Sequence, residues 1–299
     1  MNLRRTFLAW SVTILIALGI VATSTPAPQP QAATTATAAS KVVVFMEENH
    51  SLSQMKAGMP YLFGLAKKYG YADNWTAARH PSLPNYLAIA GGSTFGVTTN
   101  GLPTGTNGVK VGSAISVFDQ AINAGKTAKV YAEGMPSNCS LVNNTTGKYA
   151  VKHNPWAYFT TAGPRGHCNQ FDVPTTGLIA DATNNNLPNA GMVVPNLCND
   201  AHNCSLTIAD NWLKTRIGPM LTSTDFTSGA LTIVVTADED GGTTTNKVLT
   251  VVMHTGMNGV VVTTALTHYS LSAYLSQVIG VTPLLNAKTA PSMAAAFGL

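Results

Sequence analysis

Two runs of β-branched and apolar residues stop at clusters of acid. Val42-Val43-Val44-Phe45 leads through Met46 to Glu47-Glu48-Asn49, and Leu231-Thr232-Ile233-Val234-Val235-Thr236 leads through Ala237 to Asp238-Glu239-Asp240-Gly241-Gly242. An apolar run without polar alternation suits a strand covered on both faces, as in the parallel sheets of α/β domains. Such sheets collect their ligand sites beyond the carboxyl ends of the strands. Both acidic clusters therefore fall at the end of the sheet where a site belongs. The paired glycines let the backbone turn sharply beside the second cluster.

The remaining pattern agrees with that frame. Helical spacing runs from Met59 to Tyr69, Ser116 to Ala124, Leu206 to Ile217 and Ser270 to Ile279, and further short strands fall at Lys129–Ala132, Met192–Val194 and Val248–Met253. Strands alternating with helices predict an α/β fold, a three-layer αβα sandwich with a mostly parallel central sheet. Residues 98–112 and 137–189 are rich in Gly, Asn, Thr and Pro and read as long ordered loops. No repeat or linker divides residues 39–299, which read as a single domain.

Residues 1–38 have another character. Arg4 and Arg5 precede an uncharged, mostly apolar run from Phe7 to Ala22, then a Pro/Gln/Ala/Thr stretch with the small residues Ala36-Thr37-Ala38. This is the layout of a secretory signal peptide, with cleavage between positions 33 and 39. The run is shorter than the ~20 residues that cross a bilayer, so export without a retained anchor is expected. Removing Arg4 and Arg5 from the 17 basic residues leaves 15 against 13 acids. That balance is too weak and scattered for a nucleic-acid surface. Four cysteines in an exported chain favour two disulfides. Of the three possible pairings, Cys139–Cys168 and Cys198–Cys204 join sequence neighbours, and a Cys/His metal centre with His167 and His202 is the alternative.

The candidate nucleophile is Ser82, in Arg79-His80-Pro81-Ser82-Leu83-Pro84-Asn85-Tyr86. The serine stands between two prolines, ahead of the helix-like run Leu87–Gly92. A serine hydroxyl needs a base or a metal to attack at neutral pH. No Gly-x-Ser-x-Gly elbow occurs, since Gly91-Gly92-Ser93-Thr94 ends in Phe95; an esterase of the α/β-hydrolase kind is disfavoured. Carboxylates and an amide at Glu48, Asn49, Asp238 and Glu239 are hard ligands for a divalent ion, and Ser82 itself can join them. Asn85 could donate to a phosphate oxygen as charge builds there. Asp200 and His202 lie inside the short Cys198–Cys204 segment, where a disulfide would hold them towards one ion or phosphate. Lys152 and His153 form a candidate anion-binding pair. Taken singly, the acidic strand ends are also compatible with solvated turns, and His268 with an ordinary packing histidine ahead of a helix.

Together the motifs resemble the bacterial phosphoesterase family of secreted acid phosphatases and phospholipases C, and within it the short, secreted actinobacterial and mycobacterial acid phosphatases. The resemblance rests on Val-Val-Val-Phe-Met-Glu-Glu-Asn-His-Ser at 42–51, His-Pro-Ser-Leu-Pro-Asn-Tyr at 80–86, Tyr-Ala-Val-Lys-His-Asn-Pro-Trp at 149–156, Pro-Asn-Leu-Cys-Asn-Asp-Ala-His-Asn-Cys-Ser at 195–205, Asp-Asn-Trp-Leu at 210–213, Ala-Asp-Glu-Asp-Gly-Gly at 237–242 and Thr-His-Tyr-Ser at 267–270. It implies an alkaline-phosphatase-like fold. It also implies Glu48, Asn49, Ser82, Asp238 and Glu239 as metal ligands, Ser82 as nucleophile, and Asp200 and His202 as a second metal-binding or acid/base element. Metal-rich members of that superfamily carry more histidines at these strand ends, so one or two ions, and zinc, calcium or another divalent metal, all remain open.

The expectation is a secreted, metal-dependent phosphatase acting on phosphomonoesters through a phosphoserine. Phosphoinositides and other lipid headgroups fall among the substrates the resemblance implies. Ser82, Asn85 and His202 would be catalytic, and His80, Lys152, His153, Asp200 and His268 would bind substrate. The chain is expected to act as a monomer with no nucleic-acid partner and no stable membrane anchor. A phosphodiesterase of phospholipase C type and a non-catalytic surface-binding protein on the same fold are the rivals.

Overall fold

The computed structural model describes Met1 and residues 38–299. The signal-peptide and leader reading of residues 1–38 lies almost wholly outside the described residues. The first acid-tipped run forms β1 (Lys41–Glu47) and the second β7 (Leu231–Ala237). The other strands are β2 (Gly70–Ala72), β3 (Trp75–Thr76), β4 (Ala128–Ala132), β5 (Asp172–Pro174), β6 (Ala190–Val194), β8 (Thr250–Met253), β9 (Val260–Val262) and β10 (Leu266–Thr267). Eight of them form one sheet in the order β5-β4-β6-β1-β7-β8-β2-β9, and β10 and β3 pair separately. Within the large sheet only β8 runs antiparallel to its neighbours. The mostly parallel α/β architecture is as expected.

Helices cover both faces. On one side lie α1 (Leu52–Gly58), α2 (Pro60–Lys68), α6 (Leu178–Thr183), α7 (Leu206–Leu221) and α8 (Thr224–Thr227); on the other lie α3 (Ser82–Gly91), α4 (Val117–Asn123), α9 (His268–Val278) and α10 (Met293–Phe297). The period-two alternation of a strand sorts β1 between them. Phe45 meets Trp212 of α7 edge to face, and Glu47 lies on the same side, whereas Glu48 turns to α3. All ten residues of α3 are buried. A helix apolar all round is a core helix, and this one fixes where Ser82, its first residue, can be.

Residues 137–189 differ from the expected loop. They contain α5 (Ala162–Phe171), β5, α6 and short 3-10 turns at Val151–His153 and Pro155–Tyr158. Their Gly, Asn and Pro content weakens the periodicity on which a sequence reading depends, while Trp156, Tyr158, Phe159 and Cys168 anchor the segment to the core. Both cysteine pairs are disulfides, Cys139–Cys168 and Cys198–Cys204. The alternative Cys/His centre is absent among the described residues; His167 lies 2.9 Å from Asp119 instead.

Candidate active site

Three adjacent parallel strands bring the acids together. Asp238 follows β7, Glu48 follows β1, and the loop after β6 carries Asp200. The backbone stitches these ends to one another: Asp238 N–H donates to Glu47 O at 2.9 Å, and Glu48 N–H to Asp200 O at 2.8 Å. Asn49 takes a left-handed backbone (φ 56°), a conformation Asn tolerates better than most residues. Its N–H donates to Asp238 Oδ1 at 3.1 Å, which ties the Asn49 backbone to the cluster.

Ser82 stands over this cluster. Its hydroxyl lies within donating distance of Glu48 Oε2 (3.2 Å) and Glu239 Oε1 (3.3 Å). The Lys152 ammonium donates to Ser82 Oγ at 3.4 Å and to His202 Nε2 at 3.2 Å. Because Asn203 Oδ1, at 2.7 Å from His202 Nδ1, can only accept, Nδ1 carries the hydrogen and Nε2 offers a lone pair to Lys152. Asp200 Oδ1 accepts the His202 N–H at 2.8 Å and so shapes the disulfide-closed loop from within.

His153 is buried between the carboxylates. Its Nε2 is 3.1 Å from Glu48 Oε1 and its Nδ1 3.3 Å from Asp200 Oδ2, and its ring stacks on Tyr86. Burial, helped by Lys152 and His202, holds the His153 pKa well below the usual imidazole range. His80 pairs through Nδ1 with Glu239 Oε2, and Nε2 donates to Thr243 O at 3.2 Å. Burial opposes its charge, but the Thr243 carbonyl and the carboxylates of Glu239 and Asp240 outweigh that and raise its pKa.

Two expected substrate contacts are corrected. Asn85 does not face the pocket: its Nδ2 donates to the carbonyls of Arg79 (2.6 Å) and Pro81 (3.2 Å), and its Oδ1 accepts the Arg79 N–H. With both ends of the amide used, Asn85 fastens the loop that delivers Ser82. His268 is fully buried behind the site. It donates from Nε2 to Asp238 O at 2.6 Å and accepts at Nδ1 from Trp75, and burial lowers its pKa to about 4.

The sequence reading missed Tyr86, and it gave Glu47, named in the first acidic cluster, no role of its own. Tyr86 donates to Glu48 Oε1 at 2.6 Å; it lies four residues after Ser82, and that spacing puts both on one helix face. Glu47 is wholly buried with neither carboxylate oxygen hydrogen-bonded. Burial first, then Asp200 and Asp210, push its pKa well up.

The donor set fits a divalent cation. Burial, reinforced by Asp238 and Asp200, raises the Glu48 pKa well above the carboxylate range. Burial brings Asp200 and Asp238 to about 7. Asp200 Oδ2, Asp238 Oδ2 and His153 Nε2 are buried without a hydrogen-bond partner. Grouped buried acids with orphaned atoms are costly unless a positive charge compensates them. Glu48, His153 and His202 also bring one ligand atom each within 4.8 Å of one another.

This fold is matched among known proteins. Solved structures with the same fold include an alkaline phosphatase superfamily protein from Vibrio parahaemolyticus (12% identity, TM-score 0.53, covering 83% of this chain and 68% of that one). A sulfatase from a Pseudoalteromonas species is similar (12%, TM-score 0.54, 81% and 68%). Residues 53–282 match the Phosphoesterase family, and the chain belongs to it. Membership makes it a phosphoric ester hydrolase. Among its relatives, the phosphatidylinositol-3-phosphatase of Mycobacterium tuberculosis is 30% identical over 86% of this chain and 82% of its own length. The phosphate-repressible acid phosphatase of Penicillium chrysogenum is 30% identical over 71% of this chain. The chain spans about half the length of the fungal relatives, 52% for that of Penicillium and 46% for an Aspergillus fumigatus acid phosphatase.

Proposed function

We propose that the protein is a secreted, divalent-metal-dependent phosphomonoesterase that works through a phosphoserine at Ser82. The observation that carries this reading is the position of Ser82 Oγ, hydrogen-bonded to Glu48 and Glu239 on one side and to Lys152 on the other. The signal-peptide-like layout of the sequence ahead of residue 39 and two disulfides support the exported form. The mycobacterial relative's name makes a phosphoinositide one substrate to test.

Glu48, Asn49, Ser82, Asp238 and Glu239 would hold the cation, with His153, Asp200 and His202 as neighbouring donors. When bound, the cation supplies positive charge that favours the serine alkoxide and balances the phosphoryl oxygens. The chain's own groups do the rest. Ser82 Oγ gives up its proton to the carboxylates that accept its hydrogen bond and attacks phosphorus. The bond from phosphorus to the leaving oxygen breaks, and that oxygen takes a proton from the Lys152–His202 pair. Water then attacks the phosphoserine and gives a proton back to the Lys152–His202 pair; the bond from phosphorus to Oγ breaks, Oγ regains its proton from the carboxylates, and phosphate departs. His80 steadies Glu239, and the Lys152 charge offsets that of the phosphoryl group.

Ser82→Ala is expected to abolish hydrolysis of an aryl phosphate while the circular dichroism spectrum stays unchanged, and acid quenching of the wild type should trap phosphate on Ser82. Near-normal turnover in the variant would remove Ser82 from its role. A diester substrate run beside the monoester distinguishes a phospholipase C type of activity, and a chelator arm tests the cation.

A further inference from the structure

A hollow of about 380 Å³ opens beside Lys152 and His202, and its walls include Asn100, Asn143, Lys148 and Tyr149. We infer that this hollow receives the leaving group, and that it selects a polyhydroxylated phosphate ester carrying a second negative charge, which Lys148 reads. The inference rests on the phosphoserine reading above and names the substrate class for that same site.

The first argument is position. Lys152 touches Ser82 Oγ on one side and His202 on the other, and both Lys152 and His202 line the hollow. The path from the nucleophile past the proton donors leads into it, which is where the departing half of the ester must go.

The second is chemical. Three carboxamides on the wall have their oxygens already committed: Asn100 Oδ1 accepts from Leu83 N at 3.0 Å, Asn143 Oδ1 from Val151 N at 2.9 Å, and Asn203 Oδ1 from His202 Nδ1 at 2.7 Å. Their NH₂ groups have no partner among the described residues, so what these side chains still offer is N–H. Lys148 and Lys152 add two ammoniums, and none of the lining residues is an acid. Asn144, the fourth carboxamide, is reversed, its Nδ2 donating to Gly134 O, but donors and positive charge predominate on the wall and suit a ligand dense in acceptor oxygens and negative in net charge. Leu102 and Leu197 supply apolar surface on which the body of a sugar or cyclitol ring can rest.

The third is rigidity. Lys148 sits on a tight turn bridged at its base by Asn144 and Tyr149. The turn packs so closely on Gly134 that a Cβ there would meet Gly147 O at 1.9 Å, and Asn144 Nδ2 donates to Gly134 O at 2.8 Å. Leu197 N–H, from the loop that carries His202, donates to Lys148 O at 2.9 Å. The backbone of Lys148 is thus fixed relative to the proton donors, while its side chain has no hydrogen bond or ion pair among the described residues. An unpaired cation tethered to that fixed backbone discriminates ligands by charge more than it strengthens binding in general.

The test compares wild type with Lys148→Ala and Lys148→Glu on p-nitrophenyl phosphate, glucose 6-phosphate and glucose 1,6-bisphosphate. Lys148 is exposed and outside the reacting groups, so the variants should keep the wild-type melting temperature and hydrolyse the aryl phosphate within about twofold of normal. For the bisphosphate, KM should rise about threefold in Lys148→Ala and about tenfold in Lys148→Glu, as expected for the loss and reversal of one exposed charge contact. Loss in equal proportion on all three substrates, or none on any, would overturn the pocket assignment. A wild type inert on every monoester would overturn the reaction reading and the pocket with it. An inositol bisphosphate in solution and a phosphorylated inositol lipid in phosphatidylcholine vesicles form a second pair of arms. A Lys148-dependent KM on either supports the assignment and identifies which source supplies the polyol.

Discussion

Tyr86 donates its phenolic hydrogen to Glu48 Oε1 at 2.6 Å, one helical turn behind the serine that donates to the other oxygen of the same carboxylate. One face of α3 therefore holds Glu48 by both oxygens. Burial, then the charges of Glu48, Asp238 and Asp200, raise the phenol's pKa well above its usual value, so it remains a donor throughout the working pH range.

Tyr86→Phe removes that donor and keeps the ring that stacks on His153. Partners that orient a metal ligand typically cost ten- to a hundredfold when lost. The variant should show a drop of about that size in kcat/KM and in affinity for the activating cation, measured by titrating metal into chelated enzyme. Unchanged metal affinity would show that Tyr86 serves packing alone.

Asn85→Ala strips the Arg79 and Pro81 backbone groups of their partners. These hydrogen bonds are part-buried, and losing them costs about 1 kcal/mol. Urea unfolding should register that loss. Turnover should fall while KM changes little, because the loop that presents Ser82 loosens and the residues lining the substrate hollow are untouched. A rise in KM alone would return Asn85 to direct phosphate contact.

The metal-free protein should lose stability as pH rises from 5 to 8. Burial raises the pKa values of Glu47, Glu48, Asp172, Asp200, Asp238 and Glu239, those of Asp200 and Asp238 to about 7 and that of Asp172 to about 8. From the ordinary carboxylate range up to those values, the native state keeps protons that the unfolded chain has released. Stability falls with pH wherever the native state binds more protons. His153 and His268, buried neutral, act oppositely, but only as pH falls through the usual imidazole range. They are two groups against six. Melting curves in chelator should show a lower Tm at pH 8 than at pH 5, and added divalent cation should restore most at pH 8. A Tm in chelator that climbs with pH would contradict this.

Replacing both Cys198 and Cys204 with serine releases the loop that aims Asp200 and His202. The bridge spans six residues, and closing so short a loop is worth roughly 2 kcal/mol. The variant should remain folded, and kcat should fall by about tenfold as the proton-donating pair loses its alignment. Retention of full kcat alongside a lower Tm would confine the bridge to stability.

Much of the fold was legible because the strongest patterns belong to the centre of the sheet. β1 and β7 are neighbours covered on both faces, so nearly every residue must be apolar until the strand ends, and the acids mark where it does. β2, β9 and the elements of residues 137–189 were not legible. Their few residues give too little periodicity, and packing rather than propensity holds them in place.

Residue chemistry in the sequence determined the serine, the acids at the strand ends, the Asp200–His202 loop and the pairs of cysteines. These are read from residue types and short spacings, which chain order preserves. Only the tertiary structure decided which of the nearby polar side chains face the reacting centre. Asn85 and His268 turned away because backbone groups needed them, and a buried carbonyl or N–H is too costly to leave unpaired. Tyr86 and His153 closed around Glu48 because the buried helix and the 3-10 turn meet there. Such assignments depend on contacts between residues up to 193 positions apart, as for Trp75 and His268, and local pattern carries no record of them.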